Sequence, residues 1–345
     1  MQRSWNVSRN GKTVTRRLDE PMRIVMMGTG PFALPTFHWL LQSDHTVPAL
    51  VTRPPKPTRS RSKPVSNPIQ EAAERAGVDV HMPKTINSPE AMEIVAALAP
   101  DLLVVCDYGQ ILSSEALGLA RLGGINLHAS MLPAYRGAAP INWAIYEGCQ
   151  ETGVSVIHMT PKLDGGPVLV ANSTPIGREE NAGQLEPRLA ELGVHAVVES
   201  LRMLSQWDGE SVIGKAQDPR QATRAPRLSK SDGAVDWSRT AIQIGQQVRA
   251  FQPWPGSYTF WRPHQSQPVR WALERTIVES SETSTEPPGS VLLARQDDLI
   301  VATGDGCLRL VELRPAGKRV MTAAEYLRGA TVKPGDMLSI HDGHQ

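Results

Sequence analysis

Cysteine is scarce in this chain and scattered where it occurs: Cys106, Cys149 and Cys307 are the three in 345 residues. That spacing excludes a disulfide framework and a CxxC metal site, and it fits a reducing compartment. Net charge is nearly absent as well, since 36 Lys+Arg against 35 Asp+Glu leave +1. A chain so balanced cannot bind nucleic acid with its whole surface, so any such site must be a local patch. No apolar run reaches the length of a membrane span. The N-terminus lacks the apolar core of a secretory signal.

The composition that remains, 40% hydrophobic and 21% charged, is that of an ordinary globular protein long enough for two domains. Arg3, Arg9, Lys12, Arg16 and Arg17 give the first residues a basic cast. A mitochondrial transit peptide has such cations, but Asn6, Asn10, Gly11, Asp19 and Glu20 argue against one. Residues 1–21 are therefore expected to be a disordered tail or extension, and the location cytoplasmic, with the mitochondrial matrix as the alternative.

From Met22 onward, short apolar runs alternate with helical patterns. "RIVMMGTG", "VPALVT", "DLLVVCDYG", "GINLHAS" and "GVSVIHMT" read as strands. "PFALPTFHWLLQS", "NPIQEAAERAG" and "SPEAMEIVAALAP" read as helices, the last with Ser88 as N-cap. A long helical pattern spans 181–206. This alternation predicts an α/β domain with a doubly wound, mostly parallel sheet over 22–207. Residues 208–226 are polar and turn-rich and read as a linker. Short strand-like pieces over 227–335 predict a small β-barrel, followed by a tail over 336–345. "ESSETSTEPPG" is a low-complexity loop, and there is no internal repeat.

"GTGPFA" after the first strand nearly fits a dinucleotide fingerprint. The second strand, however, ends at Thr52-Arg53 and not at the acidic residue that would hold a ribose, so a plain strand-to-helix turn is the better reading. More informative is the strand "INLHAS". Period two puts Ile125, Leu127 and Ala129 on one face, and Asn126 and His128 on the other. Ligands of open α/β sheets bind beyond the carboxyl ends of the strands, where these two residues fall. An imidazole can move a proton near neutral pH, and a carboxamide NH2 can hold an oxyanion. The pair suits addition to a carbonyl carbon, although an isolated Asn-x-His is more often a buried hydrogen-bonded pair. Asp164, before Gly165-Gly166, is either a turn residue or the carboxylate that orients the imidazole.

Taken in order, "NLHASMLPAYRGAAPINWAI", "GVSVIHM" and "LDGGPVL", with "GTGPFALP" and "DYGQIL", resemble the folate-dependent formyltransferases. "RLSKSDGAVDWSRTAIQIGQQVRAFQPWPGSY" and "VATGDGCLRLVELRPAGKRVM" resemble the linker and C-terminal domain of those members that act on methionyl-tRNA. The likeness runs from Met22 to Ala330 and implies a formyltransferase-like Rossmann variant followed by an OB-like barrel that holds tRNA. It implies transfer of the formyl group of 10-formyltetrahydrofolate to initiator methionyl-tRNA by a monomer, with no metal and no membrane. Asn126, His128 and Asp164 match the family's catalytic residues. Ser130, Met131, Leu132 and Pro133, with Tyr108, Gln110, Ile111 and Leu112, match its folate contacts. Arg53, Lys56, Arg59, Arg61 and Lys63 stand where the family has a basic tRNA-binding loop, in a different pattern. Asp107 replaces a common Ala, Met131 a Leu, and Gly165 a Thr or Ala.

Three other readings are open at this stage. One is a formyl-folate enzyme acting on a small amine or on water, which would not need the basic loop. Another is an NADP-linked reductase using Gly28, Gly30 and Arg53. The third is a tRNA-binding protein with a relict pocket, against which the intact Asn–His–Asp set argues.

Overall fold

The computed structural model describes residues 20–55, 67–263, 267–279 and 285–340 in full, and residue 280, Trp5–Arg9 and Lys12–Arg16 by backbone. Two compact units are present. The first comprises Met1–Pro140, Glu151–Pro175 and Glu186–Ala225; the second comprises Ile141–Gln150, Ile176–Leu185 and Pro226–Gln345.

In the first unit, β1 (Trp5–Arg9) and β2 (Lys12–Arg16) pair antiparallel within the segment expected to be a tail. The main sheet is built from β3 (Ile24–Gly28), β4 (Ala49–Val51), β5 (Asp79–His81), β6 (Leu102–Cys106), β7 (Gly124–His128), β9 (Glu151–His158) and β10 (Val168–Pro175). A two-residue strand, β8 (Arg136–Gly137), lies outside it. The order is β10-β9-β7-β6-β3-β4-β5. The strands β7, β6, β3, β4 and β5 run parallel, and β9 and β10 are antiparallel additions. Every residue of β3 and β6 is buried, as their uninterrupted apolar sequences require of strands covered on both faces. Helices α1 (Leu34–Gln42), α2 (Pro68–Arg75), α3 (Pro89–Ala97) and α4 (Ser114–Leu117) fill the crossovers. Ser88 caps α3 as expected, its hydroxyl accepting from the Ala91 amide at 3.3 Å. The long helix, α6, is Ala182–Ser205.

Parallel pairing aligns the carboxyl ends. Gly28 pairs with Cys106, and Cys106 with Leu127. The residues after β3, β4, β6 and β7 therefore share one rim: Thr29-Gly30, Thr52-Arg53, Asp107-Tyr108 and Ala129-Ser130.

The stretch 208–226 is not a free connector. Its residues up to Ala225 belong with the first unit. There Arg224–Ala225 forms β11, paired parallel with β8. Its polar sequence had suggested a linker; within it, the Gln217 and Thr223 side chains hydrogen-bond to the loops that carry Asp164, Tyr135 and Arg136.

The second unit contains α5 (Pro140–Tyr146) from Ile141 onward, α7 (Ala241–Ala250), α8 (Ala323–Leu327) and an antiparallel sheet. Its strands are β12 (Ser257–Trp261), β13 (Val269–Ser280), β14 (Val291–Arg295), β15 (Asp298–Ala302), β16 (Cys307–Pro315), β17 (Met321–Thr322) and β18 (Leu338–Ser339). The order is β14-β15-β16-β13-β12-β18, with β17 on β16. The sheet curls until its two ends meet, where Ser290 bridges Met337 and the Val291 amide donates to Asp336 O at 2.8 Å. That closure satisfies the edges of an OB-like barrel. It also corrects the expected tail from 336: Leu338 is buried and β18 completes the sheet. Trp237, Trp261 and Trp271 anchor the core. Each indole N–H finds a partner, in Thr259, Asp336 and Tyr326 respectively, so the large rings are buried without orphaned donors.

Candidate active site

Asn126 and His128 leave the same face of β7, as period two requires, and Asp164 reaches them from the loop after β9. The Asn126 Nδ2 donates to Asp164 Oδ1 at 3.5 Å, and His128 Nδ1 lies 3.9 Å from Asp164 Oδ2. The His128 and Asp164 side chains are only 7% and 10% exposed, so water screens their interaction little. His128 Nε2 is 2.9 Å from Tyr135 O. A carbonyl can only accept, so Nε2 carries a hydrogen and Nδ1 is the nitrogen turned to the carboxylate.

Asp164 itself adopts the left-handed conformation, at φ 46°. The turn had been expected to rely on Gly165-Gly166. Gly166 is needed for a different reason: a Cβ there would sit 1.9 Å from His158 O. Asp tolerates the left-handed region better than most residues, so the carboxylate is placed by a backbone that suits it. The Gly137 amide donates to Asp164 Oδ2 at 2.9 Å, which ties the loop after β7 to the carboxylate.

The segment Ser130–Pro133 is held from β9. Ser155 Oγ donates to Ser130 O at 2.7 Å and accepts from the Leu132 amide at 3.0 Å. Ser130 is fully buried and its own hydroxyl donates to Ala134 O at 2.6 Å. Its side chain thus shapes the loop. Met131 and Pro133 are partly exposed and Leu132 is buried.

Across the rim, Gln110 is fixed by its side chain: Oε1 accepts from the Ile86 amide at 2.8 Å, and Nε2 donates to Lys84 O at 3.4 Å. Leu112 is buried, whereas Ile111 is 57% exposed, an open apolar surface suited to a flat ring. Tyr108 is buried, its hydroxyl has no partner among the described residues, and burial pushes that phenol up to about 12, so it is neutral at any working pH. A buried hydroxyl without a partner costs about 1–3 kcal/mol. Tyr108→Phe should therefore raise the urea denaturation midpoint; a lowered midpoint would show that the hydroxyl has found a partner.

Arg53 is the one residue of the expected tRNA set that the structure describes; Lys56, Arg59, Arg61 and Lys63 lie outside the described residues. Its guanidinium lies against Gly109, where a Cβ would meet Nη1 at 2.9 Å. Asp107 folds back over Gly30, where any Cβ would meet its Oδ2 at 1.6 Å. Asp107 reaches solvent from a crowded recess, so burial raises its pKa while Arg53 draws it down. Glu186 is raised by burial and by Asp107. Among the described residues no group of three or more His, Cys, Asp or Glu side chains is placed to hold a metal ion. No helix among them is long and apolar enough to cross a membrane.

The residues missing from the sequence reading are those that brace the site: Ser155, Tyr135, Gln217 and Thr223. Thr223 Oγ1 accepts from the Tyr135 amide at 2.8 Å. These residues act through backbone groups that only the folded chain brings near, so no local motif marks them.

A carboxamide, an imidazole and a carboxylate converge, nearly dry, at the end of one strand of an open α/β sheet. Such a set can hold an oxyanion and move a proton, which is what transfer of an acyl-type group to a nucleophile requires. The chain belongs to the formyl transferase family: the family model "Formyl transferase" matches residues 22–201, and "Formyl transferase, C-terminal domain" matches 227–331. It is 44% identical over 331 residues to a methionyl-tRNA formyltransferase of Rhodopirellula baltica, covering 94% of this chain and 98% of that one. A methionyl-tRNA formyltransferase of Desulfotalea psychrophila is 40% identical over 314 residues, covering 91% and 94%. Among solved structures, the sugar 3N-formyl transferase WlaRD superposes with a TM-score of 0.59 at 14% identity, over 87% of this chain and all of that one. HypX from Aquifex aeolicus with tetrahydrofolic acid gives 0.57 at 18% identity, over 89% of this chain and 47% of that one. These two likenesses concern the fold.

Proposed function

We propose that the chain transfers the formyl group of 10-formyltetrahydrofolate to the α-amine of methionine on initiator methionyl-tRNA, giving N-formylmethionyl-tRNA. The convergence of Asn126, His128 and Asp164 carries this reading. The near full-length likeness to methionyl-tRNA formyltransferases supports the choice of acceptor. The reading brings with it a monomeric, cytoplasmic enzyme whose reacting groups all come from one chain.

The residues divide the work as follows. The Asn126 NH2 holds the oxyanion that develops when the amine attacks the formyl carbon. His128 keeps its Nε2 hydrogen on Tyr135 O and, through Nδ1, passes the proton that the attacking amine loses to the leaving folate nitrogen, so that one C–N bond forms as the other breaks. The Asp164 carboxylate stabilises the imidazolium form across 3.9 Å. Ile111, the fixed Gln110 and the Met131–Pro133 turn offer the wall against which the folate ring system lies. The barrel of the second unit is the proposed tRNA platform.

The acceptor is tested by offering initiator methionyl-tRNA, free methionine and a small primary amine in parallel. Only the first should yield a formylated product at an appreciable rate; faster formylation of a small amine would place the chain among other formyl-folate enzymes. The loop from Arg53 to Lys63 holds five cations and no acid, interleaved with Pro54, Pro55 and Pro57. Leaving β4 at the rim that His128 shares, its cations would gain affinity for a phosphate-rich substrate by releasing counterions. Replacing Arg59 and Arg61 with Ala should lower kcat/KM for methionyl-tRNA and flatten its salt dependence, by about one unit of slope for each phosphate left without its cation. Folate affinity should hold. Wild-type behaviour across a salt series would leave tRNA recognition to the barrel.

A further inference from the structure

The side chain of Gln217, in the stretch read as a linker, is saturated. Nε2 donates to Asp164 O at 2.8 Å and to Gly166 O at 2.7 Å. Oε1 accepts from Nε and Nη2 of Arg136, at 3.1 and 2.5 Å. Two donor hydrogens and two lone pairs are all a carboxamide has. One end therefore grips the backbone that carries the Asp164 carboxylate. The other grips the residue after Tyr135, whose carbonyl holds His128.

The reacting groups do not fix one another. At 3.9 Å, the Asp164–His128 contact is too long for a hydrogen bond, and Asn126 reaches Asp164 only at 3.5 Å. Their separation must be set by the two loops. Both loops pass through left-handed residues, Asp164 at φ 46° and Tyr135 at φ 59°; Asp accepts that region readily, whereas the bulky Tyr135 holds it only where the surroundings impose it. The chain around Gln217 supplies that constraint. Lys215 exchanges both backbone bonds with Val168 at 2.8 Å, the Arg136 amide donates to Thr223 O at 2.9 Å, and the Ala138 amide donates to Ala225 O at 2.8 Å.

We infer that Gln217 is a positioning residue for formyl transfer: by pinning the Asp164 and Gly166 carbonyls against Arg136, it sets the distance between the Asp164 carboxylate and the His128 imidazole. The inference rests on the proposed reading of the site.

Two substitutions separate positioning from mere attachment of the linker. Gln217→Glu keeps the length and the grip on Arg136, and strengthens that grip by charge, but it aims a carboxylate at two carbonyl oxygens. Gln217→Met keeps the stem and removes all four bonds, and serves as the second test should the charged variant fail to fold. For each, kcat, both KM values and the pH–rate profile are measured with initiator methionyl-tRNA and 10-formyltetrahydrofolate, beside the wild type. We expect kcat to fall by about 10–100-fold, the effect of a misplacement near 1 Å. The pH–rate profile should move, and both KM values should stay within about threefold, as they do when only transition-state interactions are removed. Wild-type kcat and pH profile in the folded variants would overturn the inference while leaving the reading of the site intact. So would a raised tRNA KM at unchanged kcat, which would make Gln217 a binding residue. If the wild type forms no formylmethionyl-tRNA, the reading of the site falls, and the inference with it.

Discussion

His128→Ala lowers kcat for formyl transfer by about 10²–10⁴-fold, the range that proton transfer and oxyanion support typically supply. The size follows from the environment. The imidazole is nearly dry, its Nε2 is engaged by Tyr135 O, and its Nδ1 faces the carboxylate. Water entering the vacated space could carry a proton, but it would lack the fixed orientation. Folate affinity should remain near wild type, because the proposed ring contacts, Gln110, Ile111 and Met131 to Pro133, are separate side chains. Equilibrium folate binding and single-turnover rates measured on the same preparation distinguish impaired chemistry from impaired binding. Near-normal turnover in this variant would remove His128 from the mechanism.

Asp164→Asn should lower kcat by about 10²-fold or more. The substitution preserves size, and Asn tolerates the left-handed backbone at this position as well as Asp does. The turn should therefore survive. What fails is the pattern of donors and acceptors. Asp164 accepts from Asn126 Nδ2 at one oxygen and from the Gly137 amide at the other. A carboxamide must turn its NH2 toward one of those donors, so one contact becomes donor against donor. Loss of the negative charge also withdraws support for the cationic imidazole that forms during transfer. A wild-type rate would reduce Asp164 to a turn residue.

The core of the first unit was legible because period and composition act locally. The apolar runs at Ile24–Gly28 and Leu102–Cys106 had to be buried strands, and alternation along Gly124–His128 put Asn126 and His128 on one face. The edge strand Val168–Pro175 escaped notice. Five of its eight residues are polar or exposed, and its pairing with β9 supplies a stability that the sequence does not display. The helices Ala241–Ala250 and Ala323–Leu327 did carry a local signal, the capping boxes Thr240/Gln243 and Thr322/Glu325. The bracing role of the 208–226 stretch was the least legible feature. Gln217, Thr223 and Ala225 look solvated in sequence, yet they hold the loops that carry Asp164 and Tyr135. Hydrogen bonds between side chains and distant backbone leave no period and no motif, so bracing of this kind becomes visible only in the fold.

The central claim is that the Asn126–His128–Asp164 centre delivers a formyl group to methionyl-tRNA and not to water. The most direct measurement follows two products in one reaction of the purified chain with 10-formyltetrahydrofolate and initiator methionyl-tRNA: tetrahydrofolate by absorbance, and formylmethionyl-tRNA after acid quench, with elongator methionyl-tRNA as the control acceptor. The account predicts one formylmethionyl-tRNA for each tetrahydrofolate released, and a much slower reaction with the elongator. Tetrahydrofolate released at the same rate with or without tRNA, and no formylated product, would contradict it.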